Sequence, residues 1–185
     1  LMPLQEELTR IDSIKTVGDV LDVSFALRPL MVDTFCSVSV GQDEKQSDLM
    51  TVHIGQGGLG LPERDFYFNP EKGTARIRKE YIAHLTRMLK LLGRDNRDAG
   101  KSANAVMAFE TELAKASRKL EDLRDPEKNY HKMTPVELTT KHTPLIDWQN
   151  RLAAMSLKPA LVIVGQPEFF TGLNQGEGNC SRDRG

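Results

Sequence analysis

Cysteine is scarce in this chain: Cys36 and Cys180 are the only two. They are too few for a disulfide framework and too far apart for a zinc knuckle, so two free thiols are expected rather than a bridge. An excess of one charge is also missing. The 25 Lys and Arg stand against 26 Asp and Glu, giving a net charge of -1 and a pI near 6.5. That balance offers no basic footprint for nucleic acid and no polybasic patch for a membrane. No apolar run approaches the ~20 residues a membrane helix needs, and no secretory leader pattern opens the chain. The first residues are Leu1-Met2-Pro3 rather than an initiator Met, so a signal peptide or anchor upstream is left open. Nucleophile signatures are absent too, with no G-x-S-x-G and no cysteine in a reactive setting. What is present is 185 residues with 39% hydrophobic and 28% charged content, the make-up of one globular domain.

The stretch from Ile54 to Phe68 organises the rest. Gly55, Gly57, Gly58 and Gly60 permit backbone angles closed to other residues, and Pro62 stiffens the exit. Phosphate cradling needs G-x-x-x-x-G-K-[ST], or G-x-G-x-x-G on a strand with an acidic residue further on, and neither is present. A structural loop is the better reading. Leu59 and Leu61 alternate with glycines and can plug a core, while Arg64 and Asp65 sit within reach of each other.

Periodicity places the other elements. Leu4, Leu8, Ile11 and Ile14 form the apolar stripe of a first helix, and Thr16 with Asp19 makes a capping-box variant that opens a second, which stops before Pro29. Residues 34–40 and 49–54 read as a β-hairpin around a long polar loop at 41–48. Two long helices follow at 74–92 and 97–122, with stripes Ile77, Tyr81, Leu85, Met88, Leu92 and Val106, Phe109, Leu113, Ala116, Leu120. Gly93 ends the first. Glu110 and Glu112, two apart, do not face each other on a helix, so a solvated face is expected for both. Thr134, Pro135 and Glu137 mark a helix start at N-cap, N1 and N3. A further helix is read at 145–155, a buried strand or extended segment at 160–164, and the start of another helix at 167–173.

Six segments, in order over about residues 3–174, resemble the N-terminal region of the neprilysin and endothelin-converting-enzyme family of zinc metallopeptidases. Gly57-Gly58-Leu59-Gly60-Leu61-Pro62-Glu63-Arg64-Asp65-Phe66-Tyr67 is similar to the family's glycine-rich signature. Asp43-x-Lys45-x-Ser47, Phe109-Glu110-x-x-Leu113-Ala114, Arg124-Asp125-Pro126, Tyr130-His131-Lys132-Met133-Thr134 and Ile146-Asp147-Trp148 carry the remaining likeness, with His131 standing where the family usually has Asn. The resemblance implies a mainly α fold with a small β-hairpin, part of the helical lobe of a two-lobed metallopeptidase, spanning residues 1–174. Residues 175–185 match nothing where the family continues, and read as a disordered or non-native tail of a truncated or frame-shifted frame.

The chemistry of that family is missing. A catalytic zinc takes H-E-x-x-H on a helix, with the Glu beside the metal-bound water. None of His53, His84, His131 and His142 is followed by Glu. The resemblance places the metal ligands in a C-terminal catalytic portion, so no catalytic or metal residue is carried over to this chain. Gly57, Gly58, Leu59, Gly60, Leu61, Pro62, Arg64, Asp65, Arg124, Asp125, Pro126 and Tyr130 are expected to be structural. By resemblance, the parent uses zinc, hydrolyses short peptides outside the cytoplasm, and closes a cavity of which this chain forms part. A stand-alone helical interaction module and a catalytically dead decoy are the rival readings.

Overall fold

A computed structural model describes the backbone of residues 2–180 and the side chains of residues 3–173. The chain forms two compact units, one of residues 1–58 with 122–185 and one of residues 59–121.

The first unit begins with α1 (Gln5–Asp12) and α2 (Val17–Ala26). Thr16 accepts from the Asp19 amide and Asp19 reaches back to the Thr16 amide, which completes the capping box read from sequence. Strands β1 (Cys36–Asp43) and β2 (Gln46–Gln56) pair antiparallel, but the expected hairpin is only half of the sheet. β4 (Val162–Val164) runs parallel to β2, and β3 (His131–Met133) runs antiparallel to β4, for the order β1-β2-β4-β3. β4 is buried along its whole length, as a β-branched run between Pro159 and Gly165 should be. The polar loop expected at 41–48 is instead a turn at Glu44 and Lys45 beside a bulge at Gln42/Asp43. Its polar residues are held by side-chain partners described below, which composition alone does not reveal.

Against the sheet unit's core lie α7 (Pro135–His142), α8 (Trp148–Ala154) and α9 (Pro167–Cys180). α7 has the predicted Thr134/Glu137 capping box with Pro135 in the first turn. Trp148, Phe169, Phe170, Leu138 and Leu152 are fully buried. Phe35, Phe25, Trp148, Phe170 and Phe169 meet edge to face in succession, with centroids 5.3 to 6.0 Å apart. The Trp148 indole N–H donates to Thr143 Oγ1 at 2.8 Å, so no polar atom of the ring is stranded. The helix α9 carries the backbone through residues 175–180, where a structureless tail was read, because extending an existing helix costs far less than nucleating one. Residues 181–185 lie outside the described residues.

The second unit holds α3 (Asp65–Phe68), α4 (Lys72–Leu91) and α5 (Asn96–Ala116). Gly93 takes φ +92, and the Arg94 amide donates back to Leu89 O at 3.2 Å, ending α4 as expected. Asp95 caps α5 through the Asp98 amide at 2.8 Å. α5 stops six residues short of the predicted 122. Ser117 turns to an extended backbone while its hydroxyl binds Leu113 O at 2.9 Å, and α6 (Leu120–Leu123) starts afresh.

The predicted stripe of α5 is rotated. Phe109 is 62% exposed, whereas Ala99, Ala103, Glu110, Leu113 and Ala114 are buried. Ile77 and Met88 on α4, and Leu92 just past its end, are likewise exposed. The true contact face of α5 follows its small residues, which allow close helix approach, rather than its largest ring.

Candidate functional site

Two buried carboxylates, one in each unit, draw in some of the residues singled out from sequence, Gly60 and Tyr130 among them. In the second unit Glu110, 7% exposed, accepts from Tyr67 Oη at 2.6 Å, Tyr81 Oη at 2.7 Å and the Gly60 amide at 3.2 Å. The Leu61 amide donates in turn to Tyr67 Oη at 3.0 Å. Each phenol therefore donates a hydrogen bond to the carboxylate, and Tyr67 also accepts one from the loop. Burial first, then the bond to Glu110, pushes both tyrosine pKa values up, so neither phenol ionises near neutrality. Leu61, Tyr67 and Ala114 close over this node, with Leu59, Phe66, Tyr81 and Met107 packed against them.

The glycine loop is shaped for that contact. Gly58 takes φ +82, a conformation side chains disfavour. Gly60 has no positive φ; its constraint is space, since a Cβ there would lie 1.9 Å from Tyr81 Oη and 3.1 Å from Glu110 Oε1. Gly57 lies against the backbone of Cys36, where a Cβ would come within 3.1 Å. Pro62 is exposed. Arg64 pairs with Asp65 at 3.0 Å and lies over the Phe68 ring at 4.9 Å.

In the first unit Asp43, 1% exposed, accepts from Lys132 Nζ at 2.5 Å, Tyr130 Oη at 2.9 Å and the Lys45 amide at 2.9 Å. Lys45 crosses the Tyr130 ring at 4.7 Å to reach Glu127 at 2.7 Å. Arg124 and Pro126 are exposed, while Asp125 accepts from the Glu127 and Lys128 amides and so shapes the turn that delivers Tyr130. The Lys132 hydrogen bond, with help from the Lys45 amide and Tyr130, holds the Asp43 pKa down at about 2 against the opposing effect of burial. A depressed carboxyl pKa contributes stability that is complete above its unfolded value and is lost as pH falls towards the folded one. Glu137, also held at about 2, chiefly by the Thr134 amide, acts in the same window. Urea midpoints should therefore fall between about pH 4 and pH 2. In Asp43→Asn the midpoint at pH 7 should be lower and the acid-side fall shallower; a fall of unchanged steepness would contradict this assignment.

The histidines are tied down singly. His131 Nδ1 donates to Val164 O at 3.1 Å, His142 Nδ1 lies 2.9 Å from Thr171 Oγ1, and His53 Nε2 donates to Gln42 O at 3.0 Å. Burial lowers the pKa of His142 and favours its neutral form. His84 is exposed and lines an open cleft of about 620 Å³ along α4 with Glu80, Tyr81 and two arginines. Cys36 is free and buried, and burial pushes its thiol up to about 12, which makes it inert at neutral pH. The side chain of Cys180 lies outside the described residues. Among the described residues no group of three or more His, Cys, Asp and Glu gathers as a metal would require. Glu110 was missed as a packed residue, although the spacing of Ala99, Ala103, Glu110 and Ala114 along one helical face is a legible signal for it.

The model of peptidase family M13, in its N-terminal part, matches residues 1–176. Neprilysin-3 of Drosophila melanogaster is 33% identical over 143 residues, covering 74% of this chain and 18% of that protein. Endothelin-converting enzyme 1 of Cavia porcellus is 37% identical over 115 residues, or 62% of this chain and 15% of that protein. Among solved structures, the zinc metalloprotease Zmp1 of Mycobacterium tuberculosis in complex with an inhibitor superposes with a TM-score of 0.82 at 28% identity, covering 94% of this chain and 27% of that one. The chain thus spans less than a fifth of the length of these two curated relatives.

Proposed function

The chain belongs to peptidase family M13, and from that we propose that it is a non-catalytic part of the N-terminal region of a neprilysin-like zinc metalloendopeptidase, where it helps wall the cavity that admits short peptides. The observation that carries the reading is the likeness to a zinc metalloprotease over 94% of this chain, set beside a residue inventory that does not fit a catalytic zinc. No histidine is followed by Glu, and the four histidines offer no i,i+4 pair. His131, His142 and His53 each spend a ring nitrogen on an oxygen of their own unit.

In this reading zinc belongs to the C-terminal catalytic portion, where it would supply an activated water. This chain supplies shape. The Glu110 node fixes the glycine loop to α3, α4 and α5, and the Asp43 node fixes the hairpin turn to the Tyr130 segment, so each piece of wall keeps its form without a metal. Gly57 to Pro62, Arg64, Asp65, Arg124, Asp125, Pro126 and Tyr130 act as structural residues throughout. The parent works outside the cytoplasm, as the family resemblance implies; within the described residues no helix is long and apolar enough to cross a membrane.

The test is to incubate the purified chain with zinc and a fluorogenic oligopeptide. No chelator-sensitive turnover is expected from this chain alone. Turnover that a chelator abolishes would place a working metal site here and overturn the proposal.

A further inference from the structure

Strand β1 is one edge of the sheet, and among the described residues it pairs with β2 alone. In β2, Val52 and Ile54 face β4, as the Gly165 amide bonded to Ile54 O at 2.9 Å shows. Thr51, His53 and Gly55 therefore bond to Gly41, Ser39 and Ser37 of β1. The groups left pointing outward are those of Cys36, Val38 and Val40. Residues 36–42, Cys-Ser-Val-Ser-Val-Gly-Gln, carry no charge and no proline. A neutral, β-branched edge without proline is the pattern that invites strand addition, and proteins that keep such an edge cover it or charge it.

Here a largely buried side chain caps part of that edge. Arg28 donates from Nη1 to Cys36 O at 3.1 Å and from Nη2 to Val38 O at 2.6 Å, and Nη1 also pairs with Asp33 at 2.9 Å. Only 11% of the Arg28 side chain is exposed. Its planar fork meets alternate carbonyls along the edge, which is where the N–H groups of an incoming strand would land. The geometry points to Arg28 as a guard that keeps β1 from pairing antiparallel with β1 of a second copy of this chain.

A second copy is the fitting partner because the edge is self-complementary. An antiparallel pairing centred on Ser39 sets Val38 opposite Val40 of the other copy and Val40 opposite its Val38, a two-fold arrangement. Val40 is 53% exposed, so the valines can meet across the new ladder, and no like charges oppose one another within it.

Sedimentation velocity on the full chain over a concentration series, with hydrogen exchange at the Val38 and Val40 amides, tests the guard. Arg28→Met should self-associate at a concentration at least tenfold below wild type, with both amides gaining protection as concentration rises. Adding Val40→Pro removes an outward N–H that β2 does not use, so it should restore wild-type behaviour. Asp33→Asn, which loosens the guanidinium without deleting it, should shift association in the same direction by less. Association unchanged in both Arg28→Met and Asp33→Asn would overturn the inference, as would association of Arg28→Met that Val40→Pro leaves intact.

Discussion

Gly60→Ala should destabilise the protein by about 3 kcal/mol or more, as overpacking at a closed site and broken bonds to a buried carboxylate add together. The added methyl would sit 1.9 Å from Tyr81 Oη and 2.7 Å from its Cζ, so the ring must leave. With it goes the 2.7 Å bond to Glu110, and the loop amide that also reaches Glu110 is displaced. Two other glycines calibrate the result. Gly58→Ala meets a backbone at φ +82 and should cost on the order of 1 kcal/mol. Gly73, near the start of α4, has nothing within 4 Å of a Cβ, so alanine there should be neutral or stabilising by about 0.5 to 1 kcal/mol. Urea denaturation of the three variants gives the ranking. If Gly60→Ala loses no more than Gly58→Ala, the close packing of Tyr81 on the loop is not a feature of the folded protein.

Glu110→Ala is expected to be comparably severe, on the order of 3 to 5 kcal/mol, because it strands three donors at once and empties the space of a carboxylate. Tyr67 Oη, Tyr81 Oη and the Gly60 amide all lose their acceptor. Glu110→Gln separates charge from shape: its carbonyl oxygen can keep one phenol, but its amide group can only donate, so one strong bond becomes a clash of donors. It should fall between wild type and alanine. Removing the phenols in a Tyr67→Phe, Tyr81→Phe background should make Glu110→Ala markedly less costly, since fewer donors are then left unmet. Additive losses in that cycle would mean the three side chains do not form one node.

Much of the fold was readable because local rules acted without opposition. Thr16/Asp19 and Thr134/Glu137 close their capping boxes, Gly93 ends α4, and the run at 162–164 becomes a buried strand. Errors arose where partners far apart in sequence decide the matter. Glu110 reads as a surface residue until Tyr67 and Tyr81 are brought to it, and Phe109 reads as core until the alanines beside it prove to be the contact face. Asp43 and Lys132 are 89 positions apart, so a loop rich in polar residues gave no sign that its carboxylate is buried. The strand His131–Met133 escaped notice for the same reason: three residues are too short for a periodic signal, and their pairing with β4 is long-range.

The most direct test of this chain's place in an M13 peptidase is to mix it with a separately expressed C-terminal catalytic portion and follow hydrolysis of a fluorogenic oligopeptide in the presence of zinc. Turnover that appears only on mixing, is abolished by a chelator, and is lost when Gly60→Ala replaces the wild-type chain is the predicted result. Catalysis by the C-terminal portion that this chain neither raises nor alters in its peptide-length preference would contradict the account.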